Sequence, residues 1–316
     1  MERLKNNPVI LHLGIALIIG ALAAFFCYQI RLYFFPGGGD FSWALVTASD
    51  VLAGRDTYDF PLSDTRIPYP LPIFIFGLPF VWMPEVVAAA SFFGLSSGLL
   101  AFSILRYDKP WRLLCFLSVS FAFAVVFTQW SPLILASWYL PLLAPTLALV
   151  KPQTAIPVAL NKLTKPGIIL GVVVLLITLI IYPTWPIRWL EMTARYSGQS
   201  LIPVRILPYG PLLLLAGLFW KKPEARLLFL SALLPTRGAY DLLVLWAIPK
   251  TWLQMLFILA IPWLVALIRP DIGFNVVTIP QIVPIFCLPA LLVLFWQALP
   301  EFKQWWHTRT AQKETL

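Results

Sequence analysis

From Pro8 to Ile30 the chain runs 23 residues without an Asp, Glu, Lys or Arg. A helix of that length reaches across the ~30 Å of a bilayer's hydrocarbon core, and being apolar all round it has no face to present to water. Similar runs recur to the end of the 316-residue chain. Their sum, 60% apolar with only 12% charged, excludes an ordinary soluble fold. The expected class is an all-α polytopic membrane protein, since backbone polar groups in lipid must be satisfied within helices. Apolar spans near 8–30, 71–105, 113–128, 132–150, 167–183, 208–220, 226–236, 240–249, 252–268 and 276–298 predict about ten transmembrane helices. They form a single integral membrane domain over 1–316. Twenty-nine prolines predict that several helices are short or broken. The span 71–105 is too long for one crossing, contains Pro72, Pro79 and Pro84, and reads as a broken or re-entrant piece followed by a full helix. The first run is too long for a signal-peptide core and lacks a cleavage site, so it reads as a retained helix.

The formal charge of +9 would point to nucleic acid in a soluble protein. In a membrane protein it points first to basic loops on the cytoplasmic side, and no nucleic-acid partner is expected. With both termini cytoplasmic, 15 of the 23 basic residues fall inside, including all ten lysines. The outer eight are arginines: Arg31, Arg55, Arg66, Arg188, Arg195, Arg205, Arg237 and Arg269. Arginine's planar fork suits phosphate or carboxylate, although pairing with outer aspartates would explain the same residues. The stretch 151–166, with lysines at both ends, reads as a cytoplasm-side or half-inserted helix. Cys27, Cys115 and Cys287 lie inside apolar runs and form no disulfide framework. His12 and His307 stand alone, so no metal site follows from His/Cys signatures, and no cofactor is expected.

Chemistry is easiest to place in the first outer loop, 31–70, which holds five of the eight aspartates: Asp40, Asp50, Asp56, Asp59 and Asp64. Phe41, Leu45, Ala48 and Leu52 recur at helical spacing and predict a short interfacial helix with Asp40 at its N-cap position. Asp40 is then either a cap or a general base beside Gly37-Gly38-Gly39, whose bare backbone lets a substrate approach. The second outer loop, 184–208, carries Trp185, Trp189, Glu191, Arg195, Tyr196, Gln199 and Arg205. Its aromatics can stack on sugars or simply anchor the chain at the interface. Trp305 and Trp306 read as an interfacial anchor. Glu85, after Pro84, is either an intramembrane functional carboxylate or an interfacial one.

Several motifs occur in a telling order. Asp40-Phe41 follows the first apolar helix, then come Ala48, Leu52 and Gly54, Asp56 and Tyr58, and Tyr69-Pro70 opening the next helix. Gln129, Lys151-Pro152-Gln153 and Pro235-Thr236-Arg237-Gly238-Ala239-Tyr240-Asp241 come later. Together they resemble the GT-C glycosyltransferases, and most nearly glycosyltransferase family 87, the polyprenol-phosphate-mannose-dependent mannosyltransferase-like group. Two features depart from that pattern: Tyr69-Pro70-Leu71-Pro72 stands for Tyr-Pro-Pro, and the tyrosine expected shortly after the first aspartate is missing.

The resemblance implies an inverting transfer of a hexose, mannose-like, from a polyprenyl-phosphate carrier to a hydroxyl on a lipid or glycan at the extracytoplasmic face of the plasma membrane. Asp40 would be the catalytic base. Arg237 would hold the leaving phosphate, with Arg66, Arg195 and Arg205 as further candidates, and Tyr58, Tyr69, Gln129, Lys151, Tyr240 and Asp241 complete the candidate substrate-binding set. Arg237 also has an alternative reading as an ion-pair partner of Asp241 four residues on. The implied partners are membrane lipids, the lipid-linked donor and the acceptor. A lipid-linked-substrate transporter or flippase and a non-catalytic membrane assembly protein stay open. A transporter should carry its critical charges near the midplane, whereas the acids here cluster in an outer loop.

Overall fold

The computed structural model describes residues 8–59, 69–195, 200–269 and 281–300. Their regular structure is helical, with one isolated bridge, Leu201 with Thr236, besides. Three helices are long and apolar enough to cross a membrane: α1 (Pro8–Tyr33), α4 (Glu85–Tyr107) and α13 (Val283–Pro300). The number rises to five if two bent pairs each count as one span. These are Pro110–Leu117 with α5 (Val119–Phe127), bent by 60°, and α9 (Lys165–Ile181) with α10 (Trp185–Arg195), bent by 90°. Among the described residues, the predicted ten crossings are therefore not found.

The shortfall has a physical cause. The apolar run 132–150 is two helices, α6 (Ser131–Tyr139) and α7 (Ala144–Val150). Nine residues of α6 rise only ~14 Å. Every residue from Ser131 to Trp138 is buried, so α6 is apolar because protein surrounds it, not because lipid does. α8 (Pro152–Asn161) is equally short and largely buried on one side. The predicted spans 208–220 and 240–249 are 3-10 helices, Gly210–Phe219 and Ala239–Ala247. Between them runs α11 (Pro223–Leu233), and α12 (Trp252–Ile268) follows. The expected break in 71–105 is present: α3 (Leu71–Phe80) alternates 3-10 and α turns before α4 begins.

α1 and α4 form the longest contact, made by small residues. A Cβ on Gly20 would stand 2.8 Å from the Gly94 carbonyl, and one on Gly94 would stand 2.6 Å from Ala24 Cβ. Such close backbone approach is how helices associate where burial from water supplies no drive.

The elements run between two ends. At one, Arg31 donates to the carbonyls of Gly37 (2.6 Å), Val126 (3.1 Å) and Pro36 (3.2 Å), closing the end of α1 onto the glycine loop. Glu85 accepts from Gly38 N–H at 2.8 Å and Ser42 Oγ at 2.5 Å, which resolves its role as an anchor for that loop. At the other end Arg112 pairs with Asp108 at 2.7 Å and donates to the Trp246 carbonyl at 3.2 Å. There too Lys162 lies 4.3 Å from the Trp138 ring, and Lys250 pairs with Glu224 at 3.5 Å. α6 shows the direction: its start at Trp130 packs on Phe92 of α4, and its finish at Trp138 meets Lys162.

Candidate functional site

In the described part of the segment 31–70, the expected short helix is present as α2 (Ser42–Leu52), lying after a 3-10 turn, Gly39–Phe41. Asp40 sits in that turn, and its side chain caps neither helix, so the capping alternative is set aside. Its Oδ2 accepts instead from Tyr69 Oη at 2.9 Å and Gln129 Nε2 at 2.6 Å. Oδ1 accepts no hydrogen bond from the described residues, and the side chain is only half buried. The glycines are not a clearing for substrate. Gly39, at φ +61°, lies so near the Phe127 carbonyl that a Cβ would stand 2.6 Å from it, and Gly38 has Glu85 and Ser42 around it. Protein fills the space that the sequence left open.

Gln129 lies between α5 and α6, where Thr128 takes a left-handed φ of +51° to end α5. Its Oε1 accepts from Lys151 Nζ at 2.6 Å, and Lys151 also pairs with Asp241 Oδ1 at 2.8 Å. Thr154 Oγ1 donates to the same Asp241 oxygen at 3.0 Å. Asp241 Oδ2 takes the Arg237 backbone N–H at 3.0 Å and Thr236 Oγ1 at 3.5 Å. Lys151 is 1% and Asp241 3% exposed, so this is an ion pair inside the bundle. Its position departs from the expectation that all ten lysines share one side, and of the two readings of 151–166 it agrees with the half-inserted helix, since α8 starts at Lys151 inside the bundle. α7 and α8 turn at Lys151 in the same end of the bundle as Asp40. The turn is invisible to charge counting because the lysine is neutralised within the protein.

Depth follows from the aromatic packing. Phe41 stacks on Phe92 with centroids 4.1 Å apart, and Phe92 meets Trp130 at 4.7 Å. Phe92 lies seven residues into α4 from Glu85, about 10 Å along the axis. The Gln129, Lys151 and Asp241 part of the cluster is thus recessed in the bundle, while Asp40 stays at the level of the loop, between the two residues that Glu85 holds.

Tyr69 is fully buried, and burial together with the Asp40 charge holds its hydroxyl well above the ordinary tyrosine range. It remains a donor at any working pH. Tyr58 braces it by donating to the Tyr69 carbonyl at 3.0 Å. The Tyr240 ring lies 5.3 Å from Lys151 Nζ and packs on Phe127. Arg237 makes no ion pair with Asp241 through its side chain; the backbone N–H does that work. The guanidinium instead lines, with Tyr69, Gln153, Trp189 and Thr193, a cavity of about 300 Å³. Tyr69 is the member of the cluster in its wall, and Trp189 and Thr193 bring α10 to it.

Asp40, Tyr69, Gln129, Lys151, Tyr240 and Asp241 therefore come together, with Tyr58 behind Tyr69 and Arg237 at the cavity. Arg195 and Arg205 are exposed and outside the cluster, because α10 and the 3-10 turn Pro203–Arg205 turn them outward. Arg66 lies outside the described residues. Sequence reasoning missed Thr154 and Thr236, whose only signal is their place next to Lys151 and Arg237. It also missed the role of Arg31. No group of three His, Cys, Asp or Glu fit to hold a metal occurs among the described residues. Compared with known proteins, the chain matches no family model, no curated relative and no solved structure.

Proposed function

We propose that the chain is a membrane glycosyltransferase of the GT-C type, akin to family 87, that moves a mannose-like hexose from a polyprenyl-phosphate carrier to a hydroxyl of a lipid or glycan. The observation carrying this reading is the convergence of Asp40, Tyr69, Gln129, Lys151 and Asp241 from separate segments onto one site, beside a cavity that holds Arg237. The site faces the extracytoplasmic side of the plasma membrane, with both termini in the cytoplasm. This placement rests on the lysines at the opposite end.

Asp40 Oδ1 takes the proton of the acceptor hydroxyl as its oxygen bonds to the anomeric carbon. The bond from that carbon to the phosphate oxygen breaks with its electron pair, the configuration inverts, and polyprenyl phosphate departs. A placed base of this kind contributes ~10²- to 10⁴-fold. The leaving phosphate is stable as an anion and needs a cation, not a second acid; Arg237 supplies it through a bidentate contact. Trp189 offers the sugar a flat apolar face.

The decisive assay reconstitutes purified protein with a fluorescent polyprenyl-phosphate mannose and a membrane lipid extract as acceptor source. Wild type should transfer the sugar, and Asp40→Asn should lose at least ~10²-fold in turnover. Full activity of Asp40→Asn removes the base assignment, and an absence of turnover with every polyprenyl-phosphate sugar overturns the enzyme. The buried Lys151–Asp241 pair favours one second reading, a transporter for a lipid-linked substrate. That reading predicts movement of the intact lipid between leaflets of proteoliposomes without transfer.

A further inference from the structure

Lys151 ends α7 in the bundle interior, where its side chain is enclosed by protein. It donates to Gln129 Oε1 at 2.6 Å and Asp241 Oδ1 at 2.8 Å, and it lies 5.3 Å from the centre of the Tyr240 ring. An ammonium has three donors and no acceptor, and two of the three are taken by these partners. The side chain does not line the cavity that holds Arg237, so it is poorly placed to meet a substrate phosphate there. The same inventory fixes Gln129. Because Lys151 bonds only to an acceptor, the amide oxygen must face it and the –NH₂ must face Asp40 Oδ2, 2.6 Å away. With the amide turned over, two acceptors would stand 2.6 Å apart and an –NH₂ would meet an ammonium.

We infer that Lys151 is a positioning residue that aims Asp40 through Gln129, and not a ligand for either substrate. This inference rests on the reading of Asp40 as the base. Lys151 sets the amide, the amide and the Tyr69 hydroxyl both claim Oδ2, and the carboxylate is thereby turned so that Oδ1 meets the acceptor. Asp241 holds Lys151 and is itself held by Thr154 and the Arg237 N–H. Of these groups, Gln129, Lys151, Thr154 and Asp241 lie outside the lining of the cavity, and only Asp40 is asked to meet the acceptor.

The test uses the full-length protein. Lys151→Met alone would strand a buried carboxylate, so Lys151→Met is combined with Asp241→Asn, which leaves the pair's place neutral, with the amide oxygen at the Oδ2 position for the Arg237 N–H and the –NH₂ turned to the Thr154 hydroxyl, which can accept. We expect kcat to fall by about 10²-fold, the cost of a misaimed catalytic group, with donor KM within about twofold of wild type. Gln129→Leu, which leaves the Lys151–Asp241 pair intact, should give the same kcat-only loss. The triple variant should lose no more than Gln129→Leu alone, because residues acting in one relay are not additive. A raised donor KM at unchanged kcat would make Lys151 a ligand. Wild-type kcat in Gln129→Leu, or losses that multiply in the triple variant, would overturn action through Gln129. Asp40→Asn is measured alongside: if it keeps full turnover, the base reading fails and takes this inference with it, an outcome distinct from the others.

Discussion

At the scale of single residues, the site depends on which oxygen of Asp40 is held and which is left. Tyr69 supplies one of the two donors to Oδ2, and its burial keeps the proton on its hydroxyl. A hydrogen bond to a charged acceptor is worth ~1.5–3 kcal/mol, so Tyr69→Phe should lower kcat by about tenfold or more while leaving donor KM in place. Unchanged kcat would show that the Gln129 contact suffices. Arg237 gives the complementary result. Asp241 is bonded by the backbone of residue 237, which any substitution retains. Arg237→Gln should therefore raise donor KM severalfold with little change in Tm; a lower Tm at unchanged KM would make the side chain structural. Asp40 is legible in the sequence because it opens the aspartate-rich segment just before a helical pattern, whereas Tyr69, Gln129 and Asp241 come into view through the motifs of the family resemblance. Thr154 is legible in neither way, since a threonine in an apolar helix usually bonds its own backbone, and only the fold shows that it faces Asp241. Gly37 to Gly39 invite the wrong inference for a related reason: sequence shows that side chains are missing, but not that Phe127 and Glu85 occupy the space.

Among the elements, α10 is the one whose position matters most to the cavity. It leaves α9 at a 90° bend and places Trp189 and Thr193 in the cavity wall. Few contacts hold it. Asp56 Oδ2 accepts from Tyr182 Oη at 2.8 Å and from Arg188 at 3.4 Å, and Asp56 Oδ1 caps the N–H of Tyr58 at 2.8 Å. One carboxylate thus ties the first outer loop to the bend. Exposed pairs of this kind contribute up to ~1 kcal/mol, so Asp56→Ala should leave Tm nearly unchanged. If the tie sets the cavity wall, donor KM rises by about two- to fivefold, and a KM equal to wild type would show that α10 is held by its apolar side alone. The boundaries of α9 and α12 are readable because charge, proline or a threonine cap punctuates them: Thr164 and Thr251 both accept from the third residue on. The division of 132–150 is marked only by Pro141 and Pro145, and hydropathy runs through it because Leu140, Leu142 and Leu143 are as apolar as the helices they separate. Hydropathy registers an apolar environment and does not distinguish lipid from the inside of a protein. That is why short buried helices read as crossings, and why ten apolar spans stand against three to five helices that are long and apolar enough to cross among the described residues.

For the whole molecule, the two ends differ in the cation they carry. Lys109, Lys162, Lys165, Lys221, Lys222 and Lys250 lie at one end together with Arg106, Arg112 and Arg226, whereas the cations at the other are Arg31, Arg55, Arg188, Arg195, Arg205, Arg237 and Arg269, with Lys151 the exception among the described residues. The positive-inside rule concerns charges left in loops when the chain inserts. Lys151 is buried and paired with Asp241, so it adds nothing to that balance, and the orientation inferred from the remaining lysines survives the correction. That orientation puts Asp40 outside. Ala53, just beyond α2, and Lys221, between Gly210–Phe219 and α11, are both exposed and lie at opposite ends. The native Cys27, Cys115 and Cys287 are buried and give little background. A membrane-impermeant maleimide applied to intact cells should label Ala53→Cys and reach Lys221→Cys only after permeabilisation. The opposite pattern would place the cluster in the cytoplasm and leave its internal geometry untouched, but a lipid-linked donor and its acceptor would then have to be presented from that side. Labelling of both in intact cells would contradict a membrane lying between the two ends, and with it the reading of the bundle as membrane-spanning.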